Sequence, residues 1–174
     1  MRNKAIGLAL AMLVLAALAC ALPGASSDGA LFKDDFSRDS SGWGEDTSSV
    51  EGTRAYKDGQ YVFAINEGGW IFWAVPEEKF DKPIHIEVTA TNPGEATDPG
   101  FGIICNYQDD DNFHMLGIDP DGLYAIGIKE NGTYRILSSE DEFWSESQDL
   151  AINADSYRMG ANCDGENLVL VVDG

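Results

Sequence analysis

The sequence predicts an all-β fold, a two-sheet antiparallel sandwich of the jelly-roll kind, and three observations predict it. Past the first thirty residues, apolar side chains come in short runs of period two. Valine, isoleucine, threonine and aromatic residues fill those runs. Between them stand KDGQ, NEGG, NPGEATDPG, DPDG, ENG and CDGEN, each rich in residues that accept positive φ or pre-set a turn. No segment beyond the leader sustains a 3.6-residue period. Many short strands at this spacing read as two packed antiparallel sheets.

The chain opens on a leader, not on the fold. Arg2 and Lys4 form a positive head, and the 15 residues from Ala5 to Ala19 are uncharged and apolar. As a helix that run reaches about 22 Å, short of a hydrocarbon core roughly 30 Å thick. Residues 1–19 therefore read as a secretory signal peptide. Ala17-Leu18-Ala19 directly precedes Cys20 and resembles the lipobox of bacterial lipoproteins, in which the cysteine takes a diacylglycerol thioether. The resemblance implies a lipid anchor at Cys20, although that family prefers leucine where Ala17 stands. An ordinary secretory cut after Ala19 fits the same residues. Either places the protein outside the cytoplasm, lipid-anchored at the cell membrane or secreted. Residues 20–30, built of Pro, Gly, Ser and Ala, read as a tether. Residues 31–174 suffice for one domain with a real core.

Nine strands are expected within that domain: Gln60–Asn66, Trp70–Val75, Ile84–Asn92, Gly100–Tyr107, Asn112–Asp119, Gly122–Lys129, Thr133–Ser139, Ser156–Cys163 and Asn167–Gly174. In the second, Trp70 and Phe72 point one way and Ile71 and Trp73 the other, so one pair is expected in the core. In the third, Ile84, Ile86 and Val88 alternate with His85, Glu87 and Thr89, the pattern of a sheet with one wet face. Ser138 to Leu150 reads as an acidic loop.

CNYQDDDNFHMLGIDPDGLYAIG, from Cys105 to Gly127, carries five aspartates and looks at first like a metal loop. Strand-like runs flank both acidic pieces, so QDDDN and DPDG read as turns. Asp109 and Asp111 fit the first and third ligand positions of a helix-loop-helix calcium site. Phe113 then takes the fifth, and the required glutamate is missing. They remain weak candidates for a surface calcium site; no other cofactor is expected.

With Cys20 set aside, Cys105 and Cys163 remain in an oxidising compartment. An even count suits a disulfide; two separate buried thiols are the alternative. Without the leader, 9 basic side chains stand against 30 acidic ones, a net charge of −21. Such a surface repels nucleic acid and anionic lipid, so membrane contact is expected only through the N-terminal lipid.

Catalytic patterns are scarce. His85 and His114 are the whole histidine supply, with no zinc spacing, no nucleophile elbow and no phosphate loop. No catalytic residue is assigned. Paired carboxylates for glycoside cleavage are the serious enzymatic alternative, but EDEFWSE, from Glu140 to Glu146, lies in the expected loop. Aromatic rings offer the other ligand chemistry, because they stack on sugar C–H faces. Trp43, Trp70, Trp73, Phe143, Trp144, Tyr107 and Tyr124 are weighed against ordinary packing; Trp144, Tyr107 and Trp73 are the ligand-binding candidates, with Trp144 the best exposed platform.

LFKDDFSRDSSGW (Leu31 to Trp43), YKDGQYVF (Tyr56 to Phe63) and the run from Gly100 to Gly127 resemble concanavalin A-like lectin/glucanase jelly rolls, in the group with laminin-G-like and family sixteen glycoside-hydrolase-like domains. The resemblance implies a secreted sandwich that recognises extracellular polysaccharide or glycan. Catalytic members carry E-x-D-x-x-E on an inner strand, and no segment here matches it. The expected function is a non-catalytic recognition module. The alternatives are a glycan-active hydrolase and a structural protein-contact module. Jelly rolls of this type continue past a strand such as NLVLVVDG, so the domain is expected to be incomplete at its C-terminus, with an exposed sheet edge.

Overall fold

The computed structural model describes residues 29–66, 68, 71–80, 83–91, 100–141, 144–165 and 167–174. The chain divides into two units, Met1–Asp34 and Asp35–Gly174. Of the first, residues 29–34 are described and carry no regular strand or helix. The signal peptide, Cys20, Trp70 and Phe143 lie outside the described residues.

The second unit is all-β and antiparallel, with no helix among its described residues. Its strands are β1 (Gly52–Lys57), β2 (Gln60–Ile65), β3 (Ile84–Thr91), β4 (Phe101–Asp109), β5 (Asn112–Asp119), β6 (Leu123–Glu130), β7 (Thr133–Ile136), β8 (Ser145–Glu146), β9 (Ser156–Cys163) and β10 (Leu168–Val172). They form a β1–β2 hairpin, a three-stranded sheet in the order β10–β9–β3, and a larger sheet in the order β4–β5–β6–β7, with β8 also pairing β6.

The turns set the registers. Asp58-Gly59 and Asn131-Gly132 each hold positive φ at both positions, the backbone twist that closes a two-residue hairpin. They fix Lys57 opposite Gln60 and Glu130 opposite Thr133. Asp109 pairs Asn112 across Asp110-Asp111, and the Asp109 carboxylate accepts the Asp111 amide at 2.9 Å, an Asx turn. In DPDG the Asp119 carboxylate accepts the Asp121 amide at 2.8 Å, which satisfies this buried acid locally.

Side chains alternate accordingly. On one face of the larger sheet, Ile103, Cys105, Leu116 and Ile118 pack against Tyr157, Met159, Ala161 and Cys163 of β9, a sandwich-like core. The Cys105–Cys163 disulfide joins the two sheets through that core. Tyr157 is fully buried; its hydroxyl donates to the Ala151 carbonyl at 2.7 Å and accepts from the Ala154 amide at 3.0 Å, tying down the loop before β9. β3 shows the expected alternation of half-buried and exposed residues along its whole length.

Three expectations need correction. In Trp70–Val75 the described residues, Ile71 to Val75, form no strand. Aromatic and branched residues gave the segment strand character, but its contacts are made by side chains. The Phe72 ring covers Gly52, and the Trp73 carbonyl accepts from the Arg54 guanidinium instead of a neighbouring backbone. β1 was not expected, because Arg54 and Lys57 dilute its apolar pattern; pairing across Asp58-Gly59 makes it a strand. The acidic loop contains β8, where Tyr124 pairs Ser145 and Leu123 pairs Glu146.

Candidate functional site

The face of the larger sheet turned away from the disulfide core carries a cross-strand row. Phe113 of β5 stands opposite Lys129 of β6, which stands opposite Tyr134 of β7. Residues directly opposed in an antiparallel sheet share a face, so the row is set by the two hairpin registers. Trp73 arrives from the non-strand segment and rests on Phe113, with ring centroids 5.2 Å apart. A β-bulge at the end of β4, with Asn106 at φ 50°, shifts the register between Cys105 and Asp109. Beyond the bulge, Tyr107 stacks on Phe113 at 6.1 Å and 25°. Tyr134 meets Phe113 edge-on at 6.3 Å.

Phe113 is 2% exposed, whereas Tyr107 and Tyr134 are 36% and 37% exposed. The result is two accessible rings beside a buried one. The Lys129 side chain is only 11% exposed, and its Nζ lies 4.9 Å from the Trp73 ring centre, 5.2 Å from Tyr134 and 5.8 Å from Phe113. Those distances place the cation where the ring quadrupoles attract it. Nζ also donates to the Asp110 carbonyl at 2.7 Å and stands 3.5 Å from an Asp111 carboxylate oxygen.

Asp110 ties the aromatic residues together. Its Oδ1 accepts from the Tyr107 hydroxyl at 2.6 Å and from the Trp73 indole at 3.2 Å. These two bonds hold the Asp110 carboxyl below its ordinary range. The same bond to Asp110, helped by burial, pushes the Tyr107 phenol up to about 12. Burial raises Tyr134 as well. Asp109 is lowered, first by the Asn112 side chain and then by the Asp111 amide.

Of the residues singled out from sequence, Trp73, Tyr107, Asp109 and Asp111 come together here. Asp109 is engaged by its own turn and Asp111 faces Lys129, so each carboxylate has a protein partner. Among the described residues no group of three or more His, Cys, Asp or Glu side chains is placed to hold a metal ion. Trp144, 38% exposed, lies over Gly100. Gly100 precedes β4, so Trp144 sits roughly 20 Å along the strand from Tyr107. Trp43 belongs to a separate cluster with Phe36, Tyr56 and Tyr61 around the β1–β2 hairpin. Tyr124 packs against the core between the sheets. Phe113, Lys129 and Tyr134 escaped the sequence reading.

The histidines lie elsewhere. On the outer face of β3 and β9, His85 Nδ1 is 2.7 Å from the Asn162 side-chain oxygen and Nε2 is 3.1 Å from Glu87, whose other oxygen takes Arg158 at 2.6 Å. Glu87 first and Asn162 second raise the His85 pKa, while burial lowers that of His114. The stability His85 contributes is therefore full below its unfolded value near 6.5 and is lost as pH rises through its higher folded value. His114 acts oppositely, with its contribution present above 6.5 and lost as pH falls through its lower folded value. We expect imidazole NMR titrations to place the two histidines on opposite sides of 6.5, and Glu87→Gln to bring His85 down alone. Two coincident titrations would contradict both environments.

The chain matches no family model, no curated protein and no solved structure.

Proposed function

We propose that this protein is a non-catalytic carbohydrate-recognition module of concanavalin A-like, jelly-roll type, held outside the cytoplasm by a lipid on Cys20. The observation that carries the reading is the convergence of Trp73, Tyr107 and Tyr134 on Phe113, beside fixed polar groups. Exposed flat rings offer stacking surfaces for the apolar face of a sugar. Asp110 and Lys129 hold the rings in place, so little ordering is left to be done on binding. Neither histidine lies within the site.

Glycan-array screening followed by calorimetry tests the reading. Tyr107→Ala and Tyr134→Ala are each expected to weaken binding about tenfold, the effect of removing roughly 1.4 kcal/mol of stacking. Trp144→Ala, at the other end of β4, is expected to leave affinity unchanged. Loss of binding with Trp144→Ala alone would move the site to that end of the sheet. A silent array would favour the structural-module reading, and release of reducing ends from a polysaccharide panel would favour the hydrolase.

A further inference from the structure

We propose that Arg54 of β1 is a positioning residue of the recognition site, and that it sets the Trp73 ring on Phe113 by holding the Trp73 carbonyl. Its effect on glycan affinity rests on the carbohydrate reading above; its hold on Trp73 does not. The other rings of the site stand on strands. Tyr107, Phe113 and Tyr134 belong to β4, β5 and β7, and the bulge and the hairpin registers aim them. Trp73 has no ladder, because Ile71 to Val75 form no strand. Among the described residues, the Arg54 guanidinium alone makes a hydrogen bond to the backbone of that segment.

The arginine is itself held on two sides. Its backbone exchanges two hydrogen bonds with Asp46, at 2.8 and 2.9 Å, and it stands opposite Phe63 of β2. A guanidinium on so fixed a base is a directed donor. Trp73 is thereby held at two points, its carbonyl by Arg54 and its indole by Asp110 at 3.2 Å. The two points share one electrostatic environment. The Asp110 carboxyl, kept low first by Tyr107 and then by the Trp73 indole, is lowered further by the charges of Lys129 and Arg54.

The arrangement carries a cost. The Arg54 Nε is buried and has no hydrogen-bond partner among the described residues. A buried, unpaired donor lowers stability. Methionine would fill much of the same space without that cost. The carbonyl it holds accounts for an arginine here, since local violations of this kind gather at functional sites.

The experiment follows the Trp73 indole hydrogen by NMR as it exchanges with water, with Trp73→Phe to identify its signal and Trp43 as the internal reference. Arg54→Met is expected to speed exchange at Trp73 about tenfold, leave Trp43 as in the parent, and move Tm by no more than about 3 °C. Arg54→Lys restores a donor and is expected to recover most of the protection. Lys57→Met, on the opposite face of β1, is expected to change nothing. Calorimetry with cellohexaose, a neutral chain of sugars with apolar faces, is run on the same variants. Arg54→Met is expected to weaken its binding about tenfold, as loss of one stacking ring does.

Unchanged exchange at Trp73 in Arg54→Met overturns the proposal. Faster exchange at Trp73 and Trp43 alike overturns it too, because the arginine then only holds the hairpin together. Loosening of Trp73 with unchanged cellohexaose affinity, where Tyr134→Ala weakens binding, removes Arg54 from recognition and leaves the carbohydrate reading standing. If the parent does not bind cellohexaose, the glycan array decides the carbohydrate reading, and the proposal stands or falls on the indole.

Discussion

Replacing Cys105 and Cys163 together by alanine is expected to lower the free energy of unfolding by about 4 kcal/mol, the chain-entropy value for a loop of this length. The two residues are 58 positions apart and join opposite sheets, so the bridge restricts a large part of the unfolded chain. For a domain of this size the loss corresponds to a fall of roughly 10–15 °C in Tm. Both cysteines are almost wholly buried, and the substitutions also remove packing from the centre of the core. Urea denaturation of the oxidised protein, the reduced protein and the double variant separates these contributions. Reduction reports the cross-link, and the further step to alanine reports the sulfur atoms. A shift below 1 kcal/mol on reduction would mean that the unfolded chain is already compact between these positions. The loss should also reach the recognition site. Cys105 immediately precedes the bulge at Asn106 that aims Tyr107 at Phe113, so freeing β4 from β9 loosens the strand that carries the ring.

Much of this arrangement is legible in the sequence because it depends on local chemistry. Asp58-Gly59, Asn131-Gly132 and the two aspartate turns state where chains reverse. The alternation of Ile84, Ile86 and Val88 states which face of β3 is wet. What remained hidden depended on partners distant in sequence. Ile71 to Val75 has strand composition, yet its backbone is met by a guanidinium and its rings by other side chains. β1 has a weak pattern and becomes a strand through its hairpin partner. The site row lies between these cases. Once DPDG sets Asp119 opposite Leu123 and Asn131-Gly132 sets Glu130 opposite Thr133, the registers bring Phe113, Lys129 and Tyr134 into line. Those turns were recognisable; following the pairing to the far ends of the strands would have found the row. Trp73 was beyond that reasoning, since no backbone ladder positions it.

Phe113→Ala is expected to be the most damaging single change at the site. The ring is 2% exposed and lies under Trp73, Tyr107 and Tyr134, so truncation opens a cavity beneath all three. Removal of a buried phenylalanine costs about 3–5 kcal/mol. The functional loss should exceed that of Tyr107→Ala or Tyr134→Ala, because both exposed rings lose their support at once and Lys129 loses one of its three aromatic neighbours. Phe113→Leu separates support from ring chemistry. It fills most of the volume, and we expect it to cost about 1–2 kcal/mol while retaining most of the glycan affinity. Both variants are to be compared below their melting temperatures, with near-ultraviolet circular dichroism to follow the packing of Trp73. If Phe113→Ala costs less than 1 kcal/mol and binds as the parent does, the three rings do not rest on Phe113, and the site has another foundation. If Phe113→Leu loses as much affinity as Phe113→Ala with its stability intact, the contribution comes from ring contacts, not from filled space.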